Sequence, residues 1–134
     1  MILSAITLCT NPLTTNYLSY IAYLNSWAKY VDEIIIVDGG TTDDSYASPL
    51  ISEVAKKKMK LVYNEKTHWD FKGGFSGNQV STMLNEGLPH ANGDWVFVTG
   101  ADLIPYPHKR KDVEKELSRY ENECYVRPRR FFYY

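Results

Sequence analysis

Ile34-Ile35-Ile36-Val37-Asp38-Gly39-Gly40-Thr41-Thr42-Asp43-Asp44-Ser45 is the stretch that decides the fold. A strand with one wet face alternates apolar and polar residues; this one opens with four apolar β-branched residues in a row. Such a run suits a parallel strand covered by helices on both faces. It stops at an acidic residue followed by two glycines, and the polar residues after them can turn the chain and cap a following helix.

The flanking segments repeat that alternation. Upstream, Leu3 to Cys9 reads as a first strand ending at the turn-prone Thr10-Asn11-Pro12. Tyr17, Tyr20, Ile21, Leu24, Trp27, Ala28 and Val31 then recur at helical spacing, with Asn16 as N-cap and Tyr23 at the edge of the stripe. Downstream, Tyr46, Leu50, Ile51 and Val54 mark a second helix, with Lys56 to Lys58 at its C-terminal end, where cations are favoured. Met59 to Tyr63 is a third strand. A longer loop, 64–74, precedes a helix from about Phe75 whose inward residues are Val80, Met83, Leu84 and Leu88. Asp94 to Thr99 is a fourth buried strand, His108 to Asn122 a charged helix with Val113, Leu117 and Tyr120 as its stripe, and Cys124 to Tyr134 a fifth strand. Strands alternating with helices predict one α/β domain over 1–134, with a mostly parallel twisted sheet flanked by helices.

Composition narrows the function classes. The 134 residues carry 15 basic and 16 acidic side chains, so no global field recruits nucleic acid or an anionic membrane. Hydrophobic content of 44% with 23% charge describes a folded globular chain. Cys9 and Cys124 form no spaced framework and read as buried thiols of a reducing compartment. The apolar start lacks a basic leader, and no apolar run reaches the roughly 20 residues of a membrane span. The expected location is cytoplasmic, with peripheral membrane attachment left open.

In open parallel sheets, ligands settle beyond the carboxyl ends of the strands. The first strand delivers Thr10-Asn11 there and the second Asp38-Gly39-Gly40. The third leads into a loop with Trp69, Asp70, Lys72, Gly73 and Gly74, and the fourth ends at Gly100-Ala101-Asp102. A carboxylate at such a place can accept from a base or ribose, or hold a hard cation on phosphate, and glycine lets a ligand approach the backbone. Asp and Gly are also ordinary turn residues, so either aspartate alone means little. Two on one sheet point to a site.

These residues resemble the family-two inverting glycosyltransferases of the GT-A fold, in order and over nearly the whole chain. Val37-Asp38-Gly39-Gly40-Thr41-Thr42-Asp43 is similar to the run that ends the family's second strand, and Gly93-Asp94-Trp95-Val96 to its lead-in before the metal motif. Leu8-Cys9-Thr10-Asn11 stands at the family's first turn, with Cys9 where proline is usual. Asn78 stands at the helix asparagine, preceded by Gly77 where arginine is frequent, so that Lys72 is the nearest cation to replace it. The metal motif falls on Gly100-Ala101-Asp102, without its first aspartate.

The resemblance implies a nucleoside-diphosphate sugar donor, Mn²⁺ or Mg²⁺ held by Asp102, and an unknown acceptor, either a glycan or a lipid-linked sugar. It implies a nucleotide site drawn from Thr10, Asn11, Asp38, Gly39, Lys72, Asn78, Ala101 and Asp102. Asp38 would take the base or ribose. The family's acceptor site and catalytic base have no counterpart in the sequence, so a truncated or minimal member is expected, completed by a further domain or partner chain. The alternative is a non-catalytic nucleotide-binding module or inactive fragment.

Smaller signals read blandly. Lys72-Gly73-Gly74-Phe75-Ser76-Gly77 fits no phosphate-loop spacing, and a flexible turn is the better account. His68, His90 and His108 lie on separate loops without ligand spacing, which argues against zinc; His108 is kept as a remote diphosphate contact. Arg127, Arg129 and Arg130 alternate with aromatics on the last strand, a solvated face in a chain of balanced charge.

Overall fold

A computed structural model describes residues 1–63 and 77–120, the side chains at 15–17 and 77–79 lying outside the described residues. Four strands, β1 (Leu3–Cys9), β2 (Glu33–Asp38), β3 (Met59–Tyr63) and β4 (Trp95–Val98), form one sheet in the order β3-β2-β1-β4, every pair parallel. The expected fifth strand at 124–134 lies outside the described residues. The helices are α1 (Pro12–Trp27), α2 (Glu53–Lys58), α3 (Gly77–Gly87) and α4 (Arg110–Leu117). None of the described helices is long and apolar enough to cross a membrane.

β2 is buried along its whole length, as its unbroken apolar run requires. Side-chain alternation splits the core into two layers. Leu3, Ala5, Cys9, Ile34 and Ile36 face Tyr20, Tyr23 and Leu24 of α1 and Ala28 at its C-cap, with Ala55 of α2 and Leu117 of α4 completing that side. Ile6, Ile35 and Val37 face Met83 of α3 on the other. Each large side chain buried in these layers contributes about 1.5–3 kcal/mol. α3 lies close because Gly87 has no side chain: a Cβ there would sit 2.6 Å from Ile6 Cδ1 and nearer still to Val37.

The chain leaves β1 for β2 and β3 on one side, then crosses to β4 on the other. The carboxyl ends of β1 and β4 therefore flank a topological switch point, the place where such sheets bind ligands.

Several local expectations are corrected. α1 starts at Pro12, with Asn11 as N-cap in the left-handed region (φ 45°), so Asn16 lies inside the helix. Proline suits the first helical position because its missing N–H would be unpaired there anyway. Tyr23 is fully buried and does not sit at an edge. The second helix is two pieces, a 3-10 turn at Ser45–Ala47 and then α2, because Pro49 cannot continue a helix. Ser52 caps α2, accepting from Ala55 N at 3.1 Å; Leu50 and Val54 are exposed. Lys58 reaches across to donate to Ala28 O (2.7 Å) and Val31 O (2.8 Å), closing the end of α1. Leu88 points outward in a 3-10 turn that includes Pro89. β4 is half-buried, with Val98 exposed, and α4 spans only Arg110–Leu117 before a 3-10 turn at Ser118–Tyr120.

The amino end of the sheet is tied by polar groups. Glu33 accepts from Ser4 Oγ (2.6 Å), Asn92 N (2.5 Å), Asn92 Nδ2 (3.1 Å) and Lys60 Nζ. Gly93 N donates to Ser4 Oγ at 2.9 Å, and a Cβ on Gly93 would meet Ser4 N and Trp95 O at 2.7 Å. Asp94 extends the β1–β4 ladder, its N–H donating to Ile2 O (2.8 Å) while its carboxylate accepts Ile2 N (2.7 Å). The Gly-Asp-Trp lead-in is thus the device that seats β4 beside β1. Arg110 donates to Tyr30 O, Met1 O and Asp32, fixing α4 below.

Candidate functional site

The carboxyl ends of β1 and β2 are clasped together by their loops. Asn11 Oδ1 accepts from Thr42 N (2.7 Å) and Asp43 N (3.3 Å), and Asn11 N donates to Thr41 Oγ1 (3.0 Å). Gly39 N donates to Cys9 O at 3.0 Å. The left-handed backbone at Asn11 aims its side chain across this gap, a conformation that asparagine tolerates better than most residues. Gly40 has φ 103°, which reserves that position for glycine.

Asp38 lies on the α1 face, 6% exposed, with its carboxylate turned into its own loop. Oδ2 accepts from Gly40 N (3.2 Å) and Thr41 N (3.0 Å); Oδ1 accepts from Tyr46 OH (2.6 Å) and Thr41 Oγ1. Tyr46 OH also lies 3.2 Å from Thr41 Oγ1 and 3.5 Å from Cys9 Sγ. Burial, joined by the neighbouring Cys9 and the bond to Asp38, raises the Tyr46 phenol above its ordinary range, so it stays a donor. Burial likewise pushes the Cys9 thiol up to about 12, against the opposing bond to Tyr46, which leaves it inert at neutral pH. Asp43 anchors the next turn. Partial burial would raise its carboxyl, but hydrogen bonds from Ser45 and Thr14 outweigh that and hold it below the ordinary value.

Thr10 follows β1, its Oγ1 buried and without a hydrogen-bond partner among the described residues. A buried hydroxyl left so costs about 1–3 kcal/mol, which a ligand atom could recover. β4 is held from behind: Thr99 N donates to Ile6 O (3.0 Å), Tyr23 OH meets Thr99 Oγ1 (2.7 Å), and Trp27 Nε1 donates to Leu103 O (2.8 Å). On that support Ala101 packs against the core while Asp102 is exposed.

Asp102 Oδ1 would lie 2.7 Å from a Cβ placed on Gly100, so the carboxylate folds over the position of the absent aspartate. Among the described residues no three metal-ligating side chains cluster. The donor set fits a hard cation only as one carboxylate beside a diphosphate that supplies the other oxygens.

The structure therefore brings Thr10, Asn11, Asp38, Gly39, Ala101 and Asp102 to one end of the sheet, from three neighbouring strands. Asn78 is the second residue of α3. α3 returns the chain from β3 to a parallel β4, which puts its first turn at that same carboxyl end. Lys72 lies outside the described residues, as do Trp69 and Asp70. His108 is exposed, its ring 5.3 Å from that of Tyr106 and its N–H bonded to Tyr30 OH at 2.9 Å. Tyr46 and Thr41 were not among the expected site residues. Their link to Asp38 depends on how the loop curls, and only the polar character of the loop hinted at it.

A family model described as Glycosyl transferase family 2 matches residues 17–133. Among solved structures, S. aureus TarS matches with 24% identity and a TM-score of 0.60, over 90% of this chain and 20% of that one. TarS 1-349 in complex with UDP matches at 22% identity and a TM-score of 0.63, over 90% of this chain and 33% of the other. TarS 1-349 in complex with UDP-GlcNAc matches at 22% identity and 0.56, over 91% and 32%. This chain thus spans a fifth to a third of the length of those structures, and the shared fold is the GT-A type. No curated protein matches the sequence.

Proposed function

Because the chain belongs to glycosyl transferase family 2, we propose that it forms the donor-sugar nucleotide site of an inverting, metal-assisted glycosyltransferase. One observation carries this: loops from β1 and β2 are clasped at the switch point, beside the exposed Asp102 that follows β4. The Thr10 hydroxyl there, without a partner among the described residues, supports a ligand with polar atoms. Uridine nucleotides are the first to try, because similar folds have been solved with UDP and UDP-GlcNAc.

In this reading Thr10, Asn11, Gly39 and the first turn of α3 around Asn78 bind and orient the nucleotide, with Lys72 and Ala101 beside it. Asp102 holds Mn²⁺ or Mg²⁺ against the diphosphate. When bound, the cation offsets charge on the leaving diphosphate. An acceptor hydroxyl would attack the anomeric carbon from the side opposite the diphosphate, inverting the centre. That hydroxyl needs a general base, and no described residue is assigned to it. The acceptor is a glycan or lipid-linked sugar.

A second reading is favoured by Gly100, which removes one oxygen donor from the metal motif. It makes the chain a nucleotide-binding module that transfers nothing. Calorimetric titration of UDP, GDP and dTDP, with and without Mn²⁺, into wild type and Asp102→Ala tests the donor site. Metal-dependent binding of one nucleotide, lost in the variant, is expected. A folded wild type that binds none overturns the proposal. Sugar transfer or donor hydrolysis by the chain then separates the two readings.

A further inference from the structure

We propose that Tyr46 is a positioning residue that locks Asp38 onto its own loop, so that this carboxylate shapes the nucleotide site from behind instead of contacting the nucleotide. The proposal rests on the donor-site reading above and departs from the direct base or ribose contact implied by resemblance.

A carboxylate has about four lone-pair positions for hydrogen bonds. At Asp38 four donors already use them: Gly40 N–H, Thr41 N–H, the Thr41 hydroxyl and the Tyr46 hydroxyl. A base N–H or ribose hydroxyl would have to displace one of these, at a residue only 6% exposed.

Three of the four donors belong to residues 40 and 41, on the loop itself. They curl the loop around the carboxylate, and of them only the Thr41 hydroxyl also meets the remaining fold, accepting from Asn11 N. Tyr46 ties the carboxylate itself to the packed core. Its ring packs edge-on against Tyr20 of α1, centroids 6.5 Å apart at 69°, and its hydroxyl reaches Asp38 Oδ1 at 2.6 Å. The same hydroxyl lies 3.5 Å from Cys9 Sγ at the end of β1. One phenol therefore joins α1, the end of β1 and the end of β2. A short hydrogen bond to an ionised acceptor is the strongest kind available to a neutral side chain.

The consequence is a display geometry. With Asp38 held, the Gly39-Gly40 backbone and the Thr42 N–H bonded to Asn11 keep one arrangement at the switch point. Without the Tyr46 hydroxyl, Asp38 Oδ1 loses its direct anchor outside the loop, and the carboxylate can turn and draw the Gly40 and Thr41 amides with it, restrained only by Asn11 N on Thr41 Oγ1.

Tyr20 supplies the control. It is also a fully buried tyrosine in the same layer, but its hydroxyl has no partner among the described residues. Tyr46→Phe and Tyr20→Phe both keep their rings and their packing. Two quantities are to be measured on wild type and both variants: amide hydrogen exchange at Gly40 and Thr41, and the Kd for UDP with Mn²⁺. In Tyr46→Phe both amides should exchange roughly tenfold faster and Kd should rise roughly tenfold, as expected for losing about 1.4 kcal/mol of restraint; Tyr20→Phe should change neither.

Unchanged exchange in Tyr46→Phe, or tighter UDP binding because a competitor for Oδ1 has gone, overturns the proposal. A wild type that binds no nucleotide defeats the donor-site reading alone, since the exchange rates still decide the lock. If Tyr46→Phe does not fold, Asp38→Asn decides instead. Faster exchange at Gly40 and Thr41 upholds the lock, whereas lost UDP binding with unchanged exchange makes Asp38 a direct ligand.

Discussion

Replacing Glu33 by glutamine should remove a large part of the acid sensitivity of this fold. Glu33 opens β2 and is 7% exposed. Burial would raise its carboxyl, yet hydrogen bonds from Lys60, Ser4 and Asn92 outweigh that and hold it at about 2, below its ordinary 4.5. A depressed carboxyl adds stability that is complete above the unfolded value and is lost as pH falls toward the folded one. The window here runs from pH 4.5 down to about 2. At about 1.4 kcal/mol for each tenfold step in proton affinity, that difference gives an upper value of about 3.5 kcal/mol. Solvent around Lys60, whose side chain is 45% exposed, screens part of it, so about 2 kcal/mol is expected. For a domain of this length that is roughly 7 °C in Tm. The assay is thermal melting of wild type and Glu33→Gln at half-unit steps from pH 7 to 2. The variant should melt lower at pH 7 and the two curves should converge below pH 3. Asp32 and Asp43, also depressed, remain in both proteins and cancel. Parallel curves across the window would refute the reasoning, because Glu33 would then bind protons equally in the folded and unfolded chain.

Gly93→Ala should cost about 2–4 kcal/mol by melting, because its Cβ meets backbone atoms of Ser4 and Trp95 that cannot swing aside. Asn11→Ala should lose the bonds to Thr42 and Asp43 and strain a left-handed residue, lowering stability by about 1–2 kcal/mol and weakening nucleotide binding. Asn11→Gly should recover the part of the stability lost to backbone strain but not the binding; full recovery of both would deny the side chain its bridging role. Gly100→Asp should raise Mn²⁺ affinity at least fivefold without nucleotide, read by calorimetry. Asp102 can rotate away from the new Cβ, since only its carboxylate tip is in the way. An unchanged affinity would mean that the two carboxylates do not converge.

Much of the fold was legible because it rests on local pattern. The apolar run 34–37 reads as a doubly covered strand, and β3, α3, β4 and α4 were legible by pattern, the last three not in their bounds, while the fifth strand lies outside the described residues. The helix starts were less so. Asn16 looked like a cap by residue type, while the better signal was Pro12, favoured at a first helical position and disfavoured further in. Tyr23 was read at the stripe's edge because a helical wheel does not know that the loop after β4 closes over that side, where Thr99 takes its hydroxyl. At the site, residue type and strand position sufficed to gather Thr10, Asn11, Asp38 and Asp102. They could not say what each carboxylate touches. The partners of Asp38 lie two to eight residues on and depend on how the loop curls; those of Glu33 lie as far as 59 residues away.

The two ends of the sheet therefore carry different loads, and the difference follows from what each end leaves unpaired. At the amino end Asp32, Glu33, Asp94 and Arg110 are each matched to backbone or side-chain partners, with glycine where strands press together. At the carboxyl end the loops are built from glycine and hydroxyl residues, the buried Thr10 hydroxyl, like those of Thr7 and Tyr20 in the core behind it, has no partner among the described residues, and Asp102 faces solvent. A polar group left unpaired lowers stability, and of these hydroxyls only that of Thr10 sits in a loop at the carboxyl end, where a ligand could repay the cost. Substitutions at Glu33 or Gly93 should accordingly move Tm while leaving Kd nearly fixed. Those at Thr10 or Asp102 should move Kd with little change in Tm. A Thr10→Val variant that melted higher and bound UDP as well as wild type would break this division, because it would make the unpaired hydroxyl a defect and not a contact.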